Sequence, residues 1–492
     1  MKFTHVGGER VNEVNYKQSW FGNIRGDILA GIVVALALIP EAIAFSIIAG
    51  LDPMVGLYAS FVMAVVIAFV GGRPGMISAA TGAMALVIVT LVADHGLQYL
   101  LAATILTGIF QILFGVFKLA RYMKFIPRSV MVGFVNALAI LIFMSQLEYF
   151  IGHRPMIYAL VALTLLVIYI FPYISKAVPS TLVAIIIVTA LAVVMNIQAW
   201  TVGDMGTIPR TLPEFLIPAV PFNLETLMII LPYSVALAVV GLIESLLTAS
   251  IVDDMTNSDS EKNVESRGQG IANIAVGLFG GMASCAMIGQ SVINVKSGGR
   301  GRLSAFVAGA FLMFLIVVLG DIVVLIPMAV LAGVMIMVSV STFDWNSLRT
   351  LHLVPKTDAT VMLVTVITVV VTHNLAIGVF AGILLSGIFF AAKISDVKVD
   401  SKIEGSKKVY KIKGQLFFAS VTDLLKKFEY QDDVKEVEIN LARAHIWDDS
   451  AVVAIDKIVH KFKENGIEAH VTGLNEESSE LVEKLANRLG GH

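Results

Sequence analysis

Residues 36–46 read LALIPEAIAFS, inside an apolar run that starts near position 26. Such a run has the roughly 20 residues needed to cross a bilayer as a helix. Glu41 interrupts it, directly after Pro40. A carboxylate near the bilayer centre costs roughly 2.5–3.5 kcal/mol on insertion scales. Its presence therefore marks a hydrogen-bonded structural group or a functional site. The fold follows from how many such runs there are and what surrounds this carboxylate.

The 492-residue chain is 57% hydrophobic and only 15% charged, with mean hydropathy +0.84. A soluble globular protein of this length carries far more charge. The first run has no small-residue cleavage site and many similar runs follow, so it reads as a span rather than a signal peptide. The single Cys285 excludes an internal disulfide framework. Charge is uneven: residues 396–492 hold 33 of the 72 Asp, Glu, Lys and Arg residues. This predicts a short cytoplasmic segment (1–25), a transmembrane domain (26–395) and a soluble domain (396–492).

Fourteen spans are predicted: 27–48, 53–71, 78–94, 98–117, 126–147, 156–175, 180–197, 225–250, 268–283, 287–296, 301–319, 322–341, 357–374 and 376–394. Fourteen crossings put both termini on one side. Loops on that side hold Arg73, Lys118, Arg121, Lys124, Arg128, Lys176, Lys296, Arg300, Arg302, Arg349 and Lys356, whereas the opposite loops hold Arg154 and Arg210. The positive-inside rule then makes both termini cytoplasmic, with the chain in the inner (plasma) membrane. The polar stretch 253–270, DDMTNSDSEKNVESRGQG, reads as a cytoplasmic amphipathic connection.

Spans three and ten differ from the rest. One follows the Gly-, Ser- and Thr-rich GGRPGMISAATGA, and the other is too short to cross. Both read as half-helices. Glu41 lies in span one and Glu244 in span eight, so two repeats of seven spans would make the carboxylates, and the half-helices, equivalent. An odd repeat length inverts the second copy, a recurring transporter plan with a binding site at the midplane. Facing helix N-termini would form an anion site there from free N–H groups and helix dipoles. Thr81, Gly82 and Ala83 are the contacts from span three, and Met287, Ile288, Gly289 and Gln290 those from span ten. Asn136, Asn273 and Asn294 read as interhelix hydrogen-bonders, and Pro40 as the point where span one breaks or bends.

IPEAIAFSIIAGLDPMVGLYASF, RSVMVGFVNALAILIFMSQL, ESLLTASIVDDMT and SVINVKSGGRGRLS resemble the first and second, fifth, eighth and tenth spans of the SulP family of anion transporters. The resemblance implies a seven-plus-seven inverted repeat divided into core and gate domains, an elevator-like motion and a homodimer. It places Phe45 and Glu41 at the anion site. It assigns Glu244 and Thr248, one helical turn apart, to cation coupling, with sodium or a proton as the ion. Gln290 stands where many animal members carry a basic residue, and Glu41 where they carry a neutral one. Both departures favour symport over exchange. Ile288 lacks the hydroxyl found in some bicarbonate-carrying members.

From about 397 the pattern changes to strands and short amphipathic helices in β–α–β–α–β–α order. This resembles the STAS domain that commonly follows a SulP membrane domain. Ser450, in WDDSAVVAID, is its candidate regulatory residue, with capping by Asp449 or Ser450 the simpler role. No H-E-x-x-H, P-loop or nucleophile motif supports an enzyme, and no cofactor is implied. A nucleobase–proton symporter would need a more polar span-ten start. The sequence therefore predicts secondary transport of a small inorganic anion of the sulfate or bicarbonate class. A dicarboxylate symporter and an anion exchanger are the alternatives.

Overall fold

The computed structural model describes residues 16–175, 178–208, 210–431 and 434–489. The expected segment 1–25 lies mostly outside them; its described part carries the short helix α1 (Tyr16–Phe21). The chain divides into two compact units, one ending at Gly382 and the other starting at Ile383.

The first unit is helical. It contains α2 (Ile24–Ile48), α3 (Pro53–Val70), β1 (Ser78–Ala79), α4 (Gly82–Val116), α5 (Arg128–Gln146), α6 (Pro155–Ile174), α7 (Ser180–Val194) and the single turn α8 (Val202–Met205). Then follow α9 (Leu224–Thr256), α10 (Lys262–Leu278), β2 (Cys285–Ala286), α11 (Ile288–Lys296), α12 (Arg302–Val323), α13 (Met328–Thr342), the short α14 (Trp345–Arg349), α15 (Lys356–Thr372) and the start of α16 (Leu375–Ile394). Gly96, at φ 77°, splits α4, so each predicted span has a helix. Among the described residues eight helices are long and apolar enough to cross a membrane. The others are shorter or more polar.

Several predicted boundaries change. Span three begins at Gly82 rather than 78, because Ser78 and Ala79 are extended. Span nine ends at Leu278, before a turn through Gly280 at φ 74°. The 253–270 connection shrinks to residues 257–261, since α9 runs through Thr256 and α10 starts at Lys262. Its polar residues have internal partners. Buried Glu265 accepts the Gly72 and Arg73 amides at 2.7 and 2.9 Å. Arg73 and Lys262 both pair with Asp253, at 3.2 and 2.6 Å. Span one does not break: α2 stays helical through Pro40.

The helices pack as two groups. One holds α2, α3, α4, α9, α10, α11 and α12; the other holds α5, α6, α7, α13 and α15, with the start of α16 against α15 and α5. The α4–α10 contact is close because it is made by glycines. A Cβ on Gly108 would lie 2.4 Å from the Gly270 carbonyl oxygen, and one on Gly270 equally near the Gly108 oxygen. Small residues permit such approach where apolar burial gives no preference over lipid.

The second unit carries a four-stranded sheet of β3 (Lys398–Glu404), β4 (Lys407–Leu416), β5 (Glu436–Ile446) and β6 (Glu468–Thr472), in that order. β3 pairs antiparallel to β4, and the other neighbours are parallel. Helices α17 (Val421–Lys426), α18 (Asp449–Glu464) and α19 (Glu476–Leu489) complete it. Tyr410, Phe428, Ile458 and Phe462 centre a core of its own. β3 is additional to the predicted elements. On the sheet surface Lys407 and Thr472 hold the Glu438 carboxyl down at about 2, against an ordinary 4.5.

Two tests follow. Gly108→Val should destabilise the first unit by about 1–3 kcal/mol through overpacking, seen as a lower melting temperature in detergent; an unchanged melt would remove the close contact. Glu438 has its depressed pKa only when folded, so its contribution is complete above pH 4.5 and lost as pH falls toward 2. A 396–492 fragment should therefore lose stability across that window, and Glu438→Gln should remove part of the slope. Identical acid profiles by circular dichroism would refute this.

Candidate functional site

The site is built around two short extended segments. β1 pairs antiparallel with β2, Ser78 opposite Ala286 and Ala79 opposite Cys285. The Met287 amide donates to the Ile77 carbonyl at 2.9 Å, and the Ile77 amide to Ser291 Oγ at 3.0 Å. Each strand runs directly into a half-helix, so α4 and α11 leave the ribbon in opposite directions with their N-termini at its ends.

Non-helical backbone at membrane depth needs protein partners for its polar groups. Neighbouring helices supply them. Ala80 N–H donates to Ser60 Oγ (3.2 Å) and Ala286 N–H to Ser245 Oγ (3.0 Å). Asn273 accepts from the Ser284 amide at 2.9 Å and donates to its carbonyl at 3.0 Å. Asn294 donates to the Gly75 carbonyl at 2.8 Å. Asn136 also joins helices, donating to Ser347 Oγ at 2.9 Å. All three asparagines are the hydrogen-bonders the sequence suggests.

The two half-helix starts differ. Thr81 caps α4, its hydroxyl oxygen accepting the Met84 amide at 3.4 Å. Gly82 is buried: a Cβ there would meet the Phe45 ring at 2.8 Å and Ile142 at 2.9 Å. Phe45 thus packs directly on the α4 start, and Ala83 beside it is fully buried. At α11, Met287 is the N-cap and offers no side-chain hydrogen bond. Ile288 is half-buried and Gly289 exposed, with nothing within 4 Å of a Cβ built there. The first amides of α11 therefore adjoin open space.

The two intramembrane carboxylates occupy different surroundings. Glu41 is half-buried and lies against the buried Gln290 side chain. Glu244 is 7% exposed, and its Oε2 accepts the Cys285 thiol at 3.0 Å. Cys285 Sγ also lies 3.1 Å from Thr81 Oγ1. Glu41 thereby touches the half-helix of the opposite half of the chain, and Glu244 reaches the cap of the other half-helix only through Cys285. Thr248, fully buried, donates to the Glu244 backbone carbonyl at 2.7 Å rather than to the carboxylate. Cys285, Ser60, Ser245 and Ser291 are members of this constellation that the sequence does not single out; the three serines are small helix residues that bond the ribbon or the backbone beside it, and Cys285 lies in the ribbon and bonds Glu244 of α9.

The sulfate permease family profile matches residues 24–162 and 153–365, and the STAS domain profile residues 396–488. The chain belongs to the sulfate permease family. It is a multi-pass membrane transporter, not an enzyme, with a C-terminal STAS domain. It is 66% identical to "Putative sulfate transporter YbaR" of Bacillus subtilis (strain 168), over 96% of this chain and 100% of that one. It is 30% identical to the bicarbonate transporter BicA of Picosynechococcus sp., over 77% and 72%. The transmembrane domain of a cyanobacterial BicA superposes with TM-score 0.64 at 28% identity, covering 74% of this chain and 98% of that one. The overall structure of SLC26A9 gives 0.81 at 15% identity, over 97% and 89%, a likeness of fold alone.

In the STAS domain the α18 cap is Asp448, correcting the expected Asp449 or Ser450. Its carboxylate accepts the Ala451 amide at 3.0 Å and the Phe418 amide at 2.8 Å. Ser450 lies one position inside the helix and is half-buried.

Gly289 gives the sharpest test of the open space. Gly289→Leu should fold normally, since a side chain there meets nothing, yet weaken anion binding at least about tenfold, about 1.4 kcal/mol. Isothermal titration with sulfate and bicarbonate checks it; unaltered affinity with the leucine in place would remove α11 from the site.

Proposed function

We propose that this sulfate permease family member carries a small inorganic anion of the sulfate or bicarbonate class inward across the inner membrane, coupled to protons or sodium ions. The observation that carries this reading is the β1–β2 ribbon with a helix N-terminus at each end, the α11 end opening on free space. Free N–H groups and positive dipole ends suit a compact anion and do not titrate. The names of the relatives, sulfate and bicarbonate transporters, support the substrate class.

In this reading Thr81, Gly82, Ala83, Met287, Ile288, Gly289 and Gln290 contact the anion, and Phe45 closes over Gly82. Glu41 opposes anion binding unless a cation or the Gln290 amide offsets it, so it governs which anion fits. Glu244 holds the coupling ion. Among the described residues its carboxylate carries only a thiol's weak hydrogen bond, and the Thr248 hydroxyl keeps lone pairs for a cation after donating to a carbonyl. The coupling ion in this reading is a proton or sodium. The two helix groups support elevator transport, the ribbon group moving against the other. Both termini face the cytoplasm and the chain forms a homodimer in the same reading.

In proteoliposomes, Glu244→Gln should abolish anion accumulation driven by a proton or sodium gradient while leaving downhill flux. Retained concentrative uptake would end the coupling role, and no anion flux in the wild type under any gradient would end the transport reading.

A further inference from the structure

The Thr81–Cys285–Glu244 chain has a hydrogen-bond direction. A thiol has one hydrogen, and at 3.0 Å it is given to Glu244 Oε2. The 3.1 Å contact with Thr81 must then be the Thr81 hydroxyl donating to sulfur. Thr81 Oγ1 in turn accepts the Met84 amide. Every donor in this chain therefore points toward the carboxylate, and the Thr81 proton is turned away from the α4 N-terminus. All three side chains are buried, so water does not compete for these bonds.

We propose that Cys285 is a positioning residue that ties a cation at Glu244 to the direction in which Thr81 donates. The inference rests on the coupling role proposed for Glu244. A cation on the carboxylate displaces the thiol, a weak donor. The thiol proton then has the Thr81 oxygen as its nearest acceptor, and the Thr81 hydroxyl turns its own proton to the anion before α4. The anion site gains a donor only when the cation site is filled. By reciprocity the anion strengthens cation binding to the same degree. No covalent step is involved, and the ribbon carries the signal without moving, because Cys285 lies in β2 opposite Ala79.

The test uses the full chain in proteoliposomes with radiolabelled sulfate, or bicarbonate if sulfate is not carried. The anion KM is measured at low and high concentrations of the driving cation. In the wild type the cation should lower KM by roughly 5–150-fold, the usual span of coupling between sites. Cys285→Ala and Cys285→Val, the latter keeping side-chain bulk, should reduce that ratio to less than about twofold by lowering the low-cation KM toward the high-cation value, because Thr81 loses the sulfur that holds its proton. Cys285→Ser, whose hydroxyl both donates and accepts, should restore it. Thr81→Val should lose the ratio and Thr81→Ser keep it. A wild-type ratio in both Cys285→Ala and Cys285→Val overturns the inference, as does a Cys285→Ser that behaves like Cys285→Ala. If Glu244→Gln has lost coupling while Cys285→Ala retains it, this inference alone fails. A Glu244→Gln that still couples removes both.

Discussion

The antiparallel pairing of Ser78–Ala79 with Cys285–Ala286 is the constraint on which the membrane unit depends. Two residues a side is a very small sheet, yet it fixes where both half-helices begin. Its backbone groups cannot be left to lipid, and this explains polar residues that would otherwise be costly. Ser60, Ser245, Asn273, Ser291 and Asn294 each serve the ribbon or the turns beside it. Further out, Glu265 holds the chain leading into β1 and Asp27 the chain leaving α11, the latter accepting the Arg300 and Gly301 amides at 2.7 and 3.0 Å. The buried charges of this domain are largely anchors for irregular backbone.

Glu41 and Glu244 stand apart from those anchors. Asp27 and Glu265 accept two backbone amides each, whereas Glu41 has an amide side chain beside it and Glu244 a thiol. The proposed coupling needs weakly partnered carboxylates at membrane depth, since the ion must compete with whatever holds them. Pro40 fits without breaking α2: it leaves one carbonyl of the preceding turn unpaired while helical continuity still presents Glu41 and Phe45 to the half-helices.

The span pattern was legible in the sequence because length and hydropathy are local properties. Even the Gly96 break lay between two separately predicted spans. The half-helices were legible from composition, one beginning among small residues and the other too short. The ribbon was not, because its pairing joins opposite halves of the chain and two residues carry no strand period. The 253–270 stretch misled for a related reason: Glu265 and Gln269 look solvent-facing until their partners, Gly72, Arg73 and Ser78, are known. β3 was hidden because most of its side chains are exposed, so no apolar alternation marks it. Asp448 was overlooked as a cap because WDDS offers three capping residues in a row and only the fold selects one.

The central claim is that the two half-helix starts jointly hold the anion. Anomalous diffraction from the full chain with selenate, a heavy sulfate analogue, tests it directly. The account predicts one dominant selenium peak between the backbone amides of Gly82–Ala83 and Ile288–Gln290. A transported selenate whose only peak lies away from both half-helices would contradict it.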